Sequence, residues 1–280
     1  MAGVRRLRSL GYGVLLGEHV LARDGYLAGA DEDRAGDLNR MLRDPLVRAI
    51  WFARGGYGSA RLLTRIDWRA LARGGKTLIG YSDLTALFAA AGRRASTICL
   101  YGPGVSELGD RDAYHWPSLR SLLQGRAVTQ RFRARQVLRH GRVSGRLVGG
   151  NLTVLAHLLG TRYAPDFRDA VLFLEDVGEP VYRLDRALMH LKLAGVLDRV
   201  SAVLIGSLEP KGRGRAFPPD RPVEELVEEF FAPLGVPVVT GLPSGHLQGK
   251  RSLPLGGLAR VDTRAGRLEA GPFPVRATSR

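Results

Sequence analysis

Three short apolar runs, each closing in a loop of small or reactive residues and each set among helical patterns, dominate the first hundred residues. Ala49–Ala53 (Ala-Ile-Trp-Phe-Ala) runs into Arg54-Gly55-Gly56-Tyr57-Gly58, Thr77–Gly80 into Tyr81-Ser82-Asp83, and Ile98–Tyr101 into Gly102-Pro103-Gly104. Strands that alternate with helices in this way pair in parallel, so the chain is held to the α/β class, with helices on both faces of a sheet. The intervening patterns fit. Val4, Leu7 and Leu10 predict a helix over 1–10, and Tyr12–Leu16 reads as a further strand. Asp31 can cap a helix that runs to Arg43 and stops at Asp44-Pro45. Helices are expected after Gly58 through Leu63 and from Leu84 to about Ala91.

Residues 105–143 break this rhythm with charges, Pro117 and weak periodicity, and Arg131–Arg142 reads as solvated linker. The expected organisation is an N-terminal α/β domain over 1–115, a linker over 116–143 and a C-terminal domain over 144–280. In the latter, Gly149-Gly150-Asn151 opens a helix to Leu159, and Ala170–Leu174 is a strand ending at Glu175. A long helix spans Tyr182–Leu193. Strands at Ala202–Gly206 and Val236–Thr240 flank a helix over 221–231, and Leu258–Leu268 alternates as a hairpin does.

Composition narrows the function classes. The net charge is +15, almost all of it arginine, the lysines being Lys76, Lys192, Lys211 and Lys250. The arginines are scattered and accompany no nucleic-acid-binding motif, so the charge reads as a compositional bias, with no nucleic-acid partner. A single cysteine, Cys99, excludes an internal disulfide and any cysteine-based metal spacing; within Thr-Ile-Cys-Leu-Tyr it reads as a buried thiol. No apolar run reaches the ~20 residues of a membrane span, and the first residues lack the apolar core of a signal peptide. The expected location is cytoplasmic.

Reactive side chains gather where strands end, the edge at which open α/β sheets bind ligands. Ser82 lies between a strand and a helix, where its hydroxyl is presented at a corner and helix-start N–H groups can hold an oxyanion. The same Ser-Asp pair also fits a plain helix cap. Glu175 and Asp176 follow a strand, as an acid that orients an imidazole would, or as acids favoured near a helix start. His246 sits in the loop Gly241-Leu242-Pro243-Ser244-Gly245-His246, as a base or as a loop histidine without a role. His157 and His190 fall within apolar helices, and His19, His115 and His140 have no motif around them. Arg54–Gly58 lacks the phosphate-loop pattern, which excludes nucleotide hydrolysis of that type.

Taken together and in order, Arg54-Gly55-Gly56-Tyr57-Gly58, Gly80-Tyr81-Ser82-Asp83, Gly149-Gly150-Asn151-Leu152, Leu174-Glu175-Asp176 with Glu179, Tyr182-Arg183, Asp185-Arg186, and Gly245-His246 with Leu253-Pro254-Leu255-Gly256 resemble the LD-carboxypeptidase family across nearly the whole chain. That family includes muramoyltetrapeptide carboxypeptidases and microcin C immunity peptidases. The resemblance implies a glutamine-amidotransferase-like parallel-sheet domain and a C-terminal β-rich swivelling domain with helices. It implies Ser82 as nucleophile, His246 as base and Glu175 as the orienting acid, with Asp83 N–H and an N–H of Gly55 or Gly56 as oxyanion donors. It further implies a murein tetrapeptide as substrate, or an aminoacyl-nucleotide antibiotic for an immunity-type enzyme. No metal or cofactor is implied, and a homodimer is. An arginine near the cleft is expected to pair with the substrate carboxylate. Two departures stand out. The strand with an Ala-Pro-Ser segment that usually opens such chains is missing before the first helix, so a longer native form is expected. Tyr101 stands where many relatives carry histidine before Gly-Pro, a change expected to alter pocket detail without touching the triad.

Overall fold

The computed structural model describes residues 1–211 and 221–271. The first part of the chain builds α1 (Ala2–Ser9), α2 (Asp31–Arg43), β1 (Ala49–Trp51), α3 (Trp68–Gly74), β2 (Thr77–Gly80), α4 (Thr85–Ala95) and β3 (Cys99–Tyr101). Then follow α5 (Trp116–Leu123), β4 (Val128–Arg131), β5 (Val137–Arg139), β6 (Arg142–Asn151), α6 (Leu152–His157), β7 (Val171–Val177) and α7 (Val181–Leu193). The chain continues through β8 (Ala202–Glu209), α8 (Val223–Phe231), β9 (Val238–Val239), β10 (Leu253–Leu255), β11 (Leu258–Asp262) and β12 (Arg267–Gly271).

Two sheets result. The smaller has the order β1-β2-β3-β10, parallel through β3, with β10 returning from the far end of the chain to close it antiparallel. The larger has the order β4-β12-β11-β6-β7-β8-β9-β5, parallel from β6 to β9 and antiparallel at both ends. The α/β class and the β-rich second part with helices are both present.

The strand alternation in β7 decides where the core lies. Val171 and Phe173 pack towards the smaller sheet, in one apolar cluster with α4, β2 and β3. Leu172 and Leu174 face the other way, into a cluster with α6, α7 and α8. Successive side chains point to opposite faces, so Glu175 continues the face that looks at the first sheet and Asp176 the face that looks at the helices.

Several expectations are corrected. Tyr12–Leu16 forms no strand: none of the described strands runs beside it to take up its backbone groups, and Tyr12 and Leu15 are exposed. Asp31 is the first residue of α2 and Ala30 its cap; the Asp31 carboxylate instead binds Arg34 and Arg61. After Gly58 there is only a short turn, and the helix lies later, at α3. The stretch 116–143, expected as linker, holds α5, β4, β5 and the start of β6. β4 alternates buried Val128 and Gln130 with exposed Thr129 and Arg131, the pattern of a strand with one wet face. Gly149 and Gly150 end a ten-residue strand rather than open a helix; the helix begins at Leu152, with Asn151 accepting from the Val154 N–H at 3.1 Å. Both glycines have positive φ. A Cβ on Gly149 would lie 1.9 Å from the Phe173 carbonyl oxygen, and one on Gly150 2.5 Å from Thr85 Oγ1.

Candidate active site

Ser82 is placed by β2 and the turn that leads into α4. Its φ of +66° is left-handed, a region that few residues other than glycine adopt. Such strain persists only where the surroundings hold it, and it clusters at functional positions. Gly80 makes the corner feasible, since a Cβ there would fall 2.2 Å from Leu84 Cδ1. The loop after β1 lies directly against the serine: a Cβ on Gly55 would sit 2.8 Å from Ser82 Cβ and 3.2 Å from its Oγ. The Asp83 carboxylate pins that loop by accepting the Ser59 N–H at 2.8 Å, and the Ser59 hydroxyl donates to the Asp83 carbonyl. Asp83 and Gly55 are therefore gathered at Ser82, with Gly56 next along the same loop, and the Asp83 side chain acts as an anchor.

Glu175 arrives from β7, with no exposed surface. The ladder to β8 is irregular just here, between Leu174 and Asp176, and such bulges re-aim side chains. His246 arrives on the loop after β9. Its Nδ1 is 2.7 Å from Glu175 Oε2 and its Nε2 3.1 Å from Ser82 Oγ. The His246 backbone N–H also donates to Glu175 Oε2, at 3.1 Å. Gly245 has φ +113°, and a Cβ on it would lie 2.7 Å from the same Oε2, so the residue before the histidine must be glycine for both reasons. The structure thus brings Ser82, His246 and Glu175 into one hydrogen-bonded series.

Asp176, adjacent in sequence, does different work. Its carboxylate accepts from Thr153 N and Oγ1 at 2.9 and 2.7 Å, from Asn151 Nδ2 at 3.1 Å and from Val177 N at 2.8 Å. Burial pushes its pKa up, against these hydrogen bonds. It ties β7 to the start of α6.

Four neighbours of the site were not foreseen as such. Tyr101 was expected to leave the triad untouched; instead its hydroxyl donates to Glu175 Oε1 at 2.7 Å and accepts the Ser82 N–H at 3.1 Å. Glu107 receives Tyr81 Oη at 3.0 Å and Lys250 Nζ at 2.5 Å. The Tyr81 ring lies 4.8 Å from the His246 ring, with Lys250 Nζ 5.1 Å from its centroid on account of that pairing. The sequence signals for Tyr101 were its place at the end of a strand and its standing where many relatives carry histidine. His157 and His190 are exposed on their helices. Glu18, His19 and Asp37 also converge, but Arg40 already pairs with Glu18 and Asp37.

Cys99 is fully buried, and desolvation raises its pKa well above the usual thiol range. The thiolate is the reactive form, so the native protein should resist Ellman's reagent at pH 8, whereas the protein unfolded in guanidinium should release one equivalent of chromophore. Prompt reaction of native protein would place the thiol at the surface.

Among the described residues no helix is long and apolar enough to cross a membrane. Residues 1–102 match the family model of the LD-carboxypeptidase N-terminal domain and residues 144–261 that of the C-terminal domain. The chain is 35% identical to the murein tetrapeptide carboxypeptidase of Pseudomonas aeruginosa, over 93% of this chain and 87% of that one. Among solved structures it resembles muramoyltetrapeptide carboxypeptidase from Oxalobacter formigenes, with a TM-score of 0.86, 31% identity and coverage of 98% and 94%. It also resembles the wild-type apo form of the microcin C7 self-immunity protein MccF, with a TM-score of 0.85, 26% identity and coverage of 96% and 89%. Motifs, fold and likeness over almost the full length agree, and the chain belongs to the LD-carboxypeptidase family.

Proposed function

We propose that this protein is a cytoplasmic serine carboxypeptidase that cleaves the L–D amide bond before the C-terminal D-amino acid of a murein tetrapeptide. The observation that supports this most is the unbroken series from Glu175 Oε2 through the His246 ring to Ser82 Oγ, with spacings of 2.7 and 3.1 Å. Glu175 fixes the imidazole tautomer and balances the imidazolium that forms. His246 Nε2 takes the Ser82 proton as Oγ attacks the amide carbonyl. The oxyanion is received by the Asp83 N–H and by an N–H of Gly55 or Gly56; losing one such donor costs about 3 kcal/mol of barrier. His246 returns the proton to the departing D-amino acid, and water then releases the acyl group.

Such a substrate ends in a free carboxylate. Arg54 is exposed and directly precedes Gly55, which abuts Ser82. In this reading Arg54 receives that carboxylate. Release of D-alanine from the murein tetrapeptide is the test. Arg54→Gln should lower kcat/KM by roughly 10- to 100-fold, chiefly through KM, as expected for losing a charge-assisted hydrogen bond. It should matter far less for a tetrapeptide with an amidated C-terminus. Equal loss on both substrates would remove Arg54 from carboxylate recognition. No D-alanine from folded wild type, together with cleavage of an aminoacyl sulfamoyl nucleoside, would favour the immunity-type activity instead.

A further inference from the structure

β3 ends on a tyrosine that is 1% exposed yet directs its hydroxyl at the candidate site. The ring is fixed edge-on against Phe173, with centroids 5.6 Å apart, and against Tyr81 at 6.1 Å. The hydroxyl donates to Glu175 Oε1 at 2.7 Å and accepts the Ser82 N–H at 3.1 Å. Burial and the adjacent carboxylate both raise the phenol's pKa, which keeps it a donor.

The division at Glu175 is informative. One carboxylate oxygen, Oε2, takes both hydrogen bonds from His246. The other, Oε1, takes Tyr101. A fully buried carboxylate with one oxygen unsatisfied would be free to rotate away from the imidazole, and a buried unpaired oxygen is strongly disfavoured. The Tyr101 hydroxyl oxygen at the same time accepts the N–H of Ser82, a serine whose φ is left-handed. That N–H is thereby engaged and not turned to an oxyanion, which leaves this task to Asp83 and the Gly55–Gly56 loop.

We infer that Tyr101 is a positioning residue: a single hydroxyl sets the Ser82 backbone and the Glu175 carboxylate in one register, so that nucleophile and acid reach His246 together. This rests on the Ser82–His246–Glu175 reading above. Tyr101 touches no reacting atom; it acts through the two residues it joins. Misplacement of a reacting group by about 1 Å can cost on the order of 100-fold in rate.

The test compares Tyr101→Phe, which keeps the ring packing and removes only the hydroxyl, with Tyr101→His, whose imidazole can both donate and accept. Three quantities are read: the rate of Ser82 phosphonylation by a fluorophosphonate, followed by intact mass; kcat and KM for D-alanine release; and the downfield proton resonance of His246 Nδ1–H. Tyr101→Phe should slow phosphonylation and kcat by roughly 10- to 100-fold with KM little changed, and should move the His246 resonance. Tyr101→His should recover most of the loss. A folded Tyr101→Phe protein with wild-type rates and an unmoved resonance overturns the inference, and so does a folded Tyr101→His protein as slow as the Phe variant; either variant alone is decisive. Ser82→Ala with retained activity, or a wild type whose Ser82 is not phosphonylated, would overturn the triad reading itself. Inactive Ser82→Ala beside wild-type rates for Tyr101→Phe would overturn only the role of Tyr101.

Discussion

Ser82→Ala and His246→Ala should each lower D-alanine release by about a million-fold, and the double variant should be no worse than either. Nucleophile and base act as one unit, and removing either leaves the other without a task; comparable single losses in serine peptidases are on the order of 10⁶ in kcat and far from additive. The 3.1 Å separation of His246 Nε2 from Ser82 Oγ supports the coupling. Ser82→Ala keeps a Cβ at the left-handed φ, so its backbone strain is unchanged and its melting temperature should match wild type. Some residual catalysis over water should remain in both variants, because the backbone donors near Gly55 and Asp83 are intact. Losses that multiply in the double variant would mean that the two side chains act independently.

The second large effect is expected at a residue with no side chain. Gly245→Ala should lower kcat by roughly 100-fold or more while costing about 1–3 kcal/mol of stability. The new Cβ would fall 2.7 Å from Glu175 Oε2 and 2.7 Å from Ser207 Oγ. Glu175 cannot retreat, since it is fully buried and held by Tyr101 from the other side. The loop would have to move instead, taking His246 with it. Gly125→Ala is the control: its φ is +72°, but a Cβ there meets nothing within 4 Å. It should show the strain in its melting curve and wild-type kinetics. If Gly245→Ala behaves like the control, the close approach of loop to carboxylate is not needed for turnover.

These two cases also show what could be read from the chain and what could not. Ser82, Glu175 and His246 stand at strand ends or in the loop after one, and strand ends can be located from apolar runs alone. Asp176 as an anchor rather than the acid follows from period-two alternation once β7 is known to be buried on both faces. Tyr101 was legible as a departure from its relatives but not as a partner of the triad, because its hydroxyl finds Glu175 across the fold, between two parts of the chain that local pattern does not connect. β10 was not assigned as a strand, since its Leu-Pro-Leu carries a proline; proline is confined to sheet edges, and β10 is an edge strand of its sheet. Tyr12–Leu16 failed in the opposite sense, its composition suiting a strand for which the described fold offers no neighbour.

The return of β10 bears on how the protein is made. Leu253 pairs with Tyr101, and Leu255 with Cys99. During synthesis β3 therefore waits as a bare, largely apolar edge until residue 255 has emerged, the situation in which strands recruit wrong partners. His246 emerges only shortly before β10, so a nascent chain holds its nucleophile long before it holds a base. Pairings this distant in sequence form slowly. A ribosome-bound chain stalled before residue 240 should thus be both inert and prone to aggregate, and the strand that seals the first sheet comes directly after the loop that arms it.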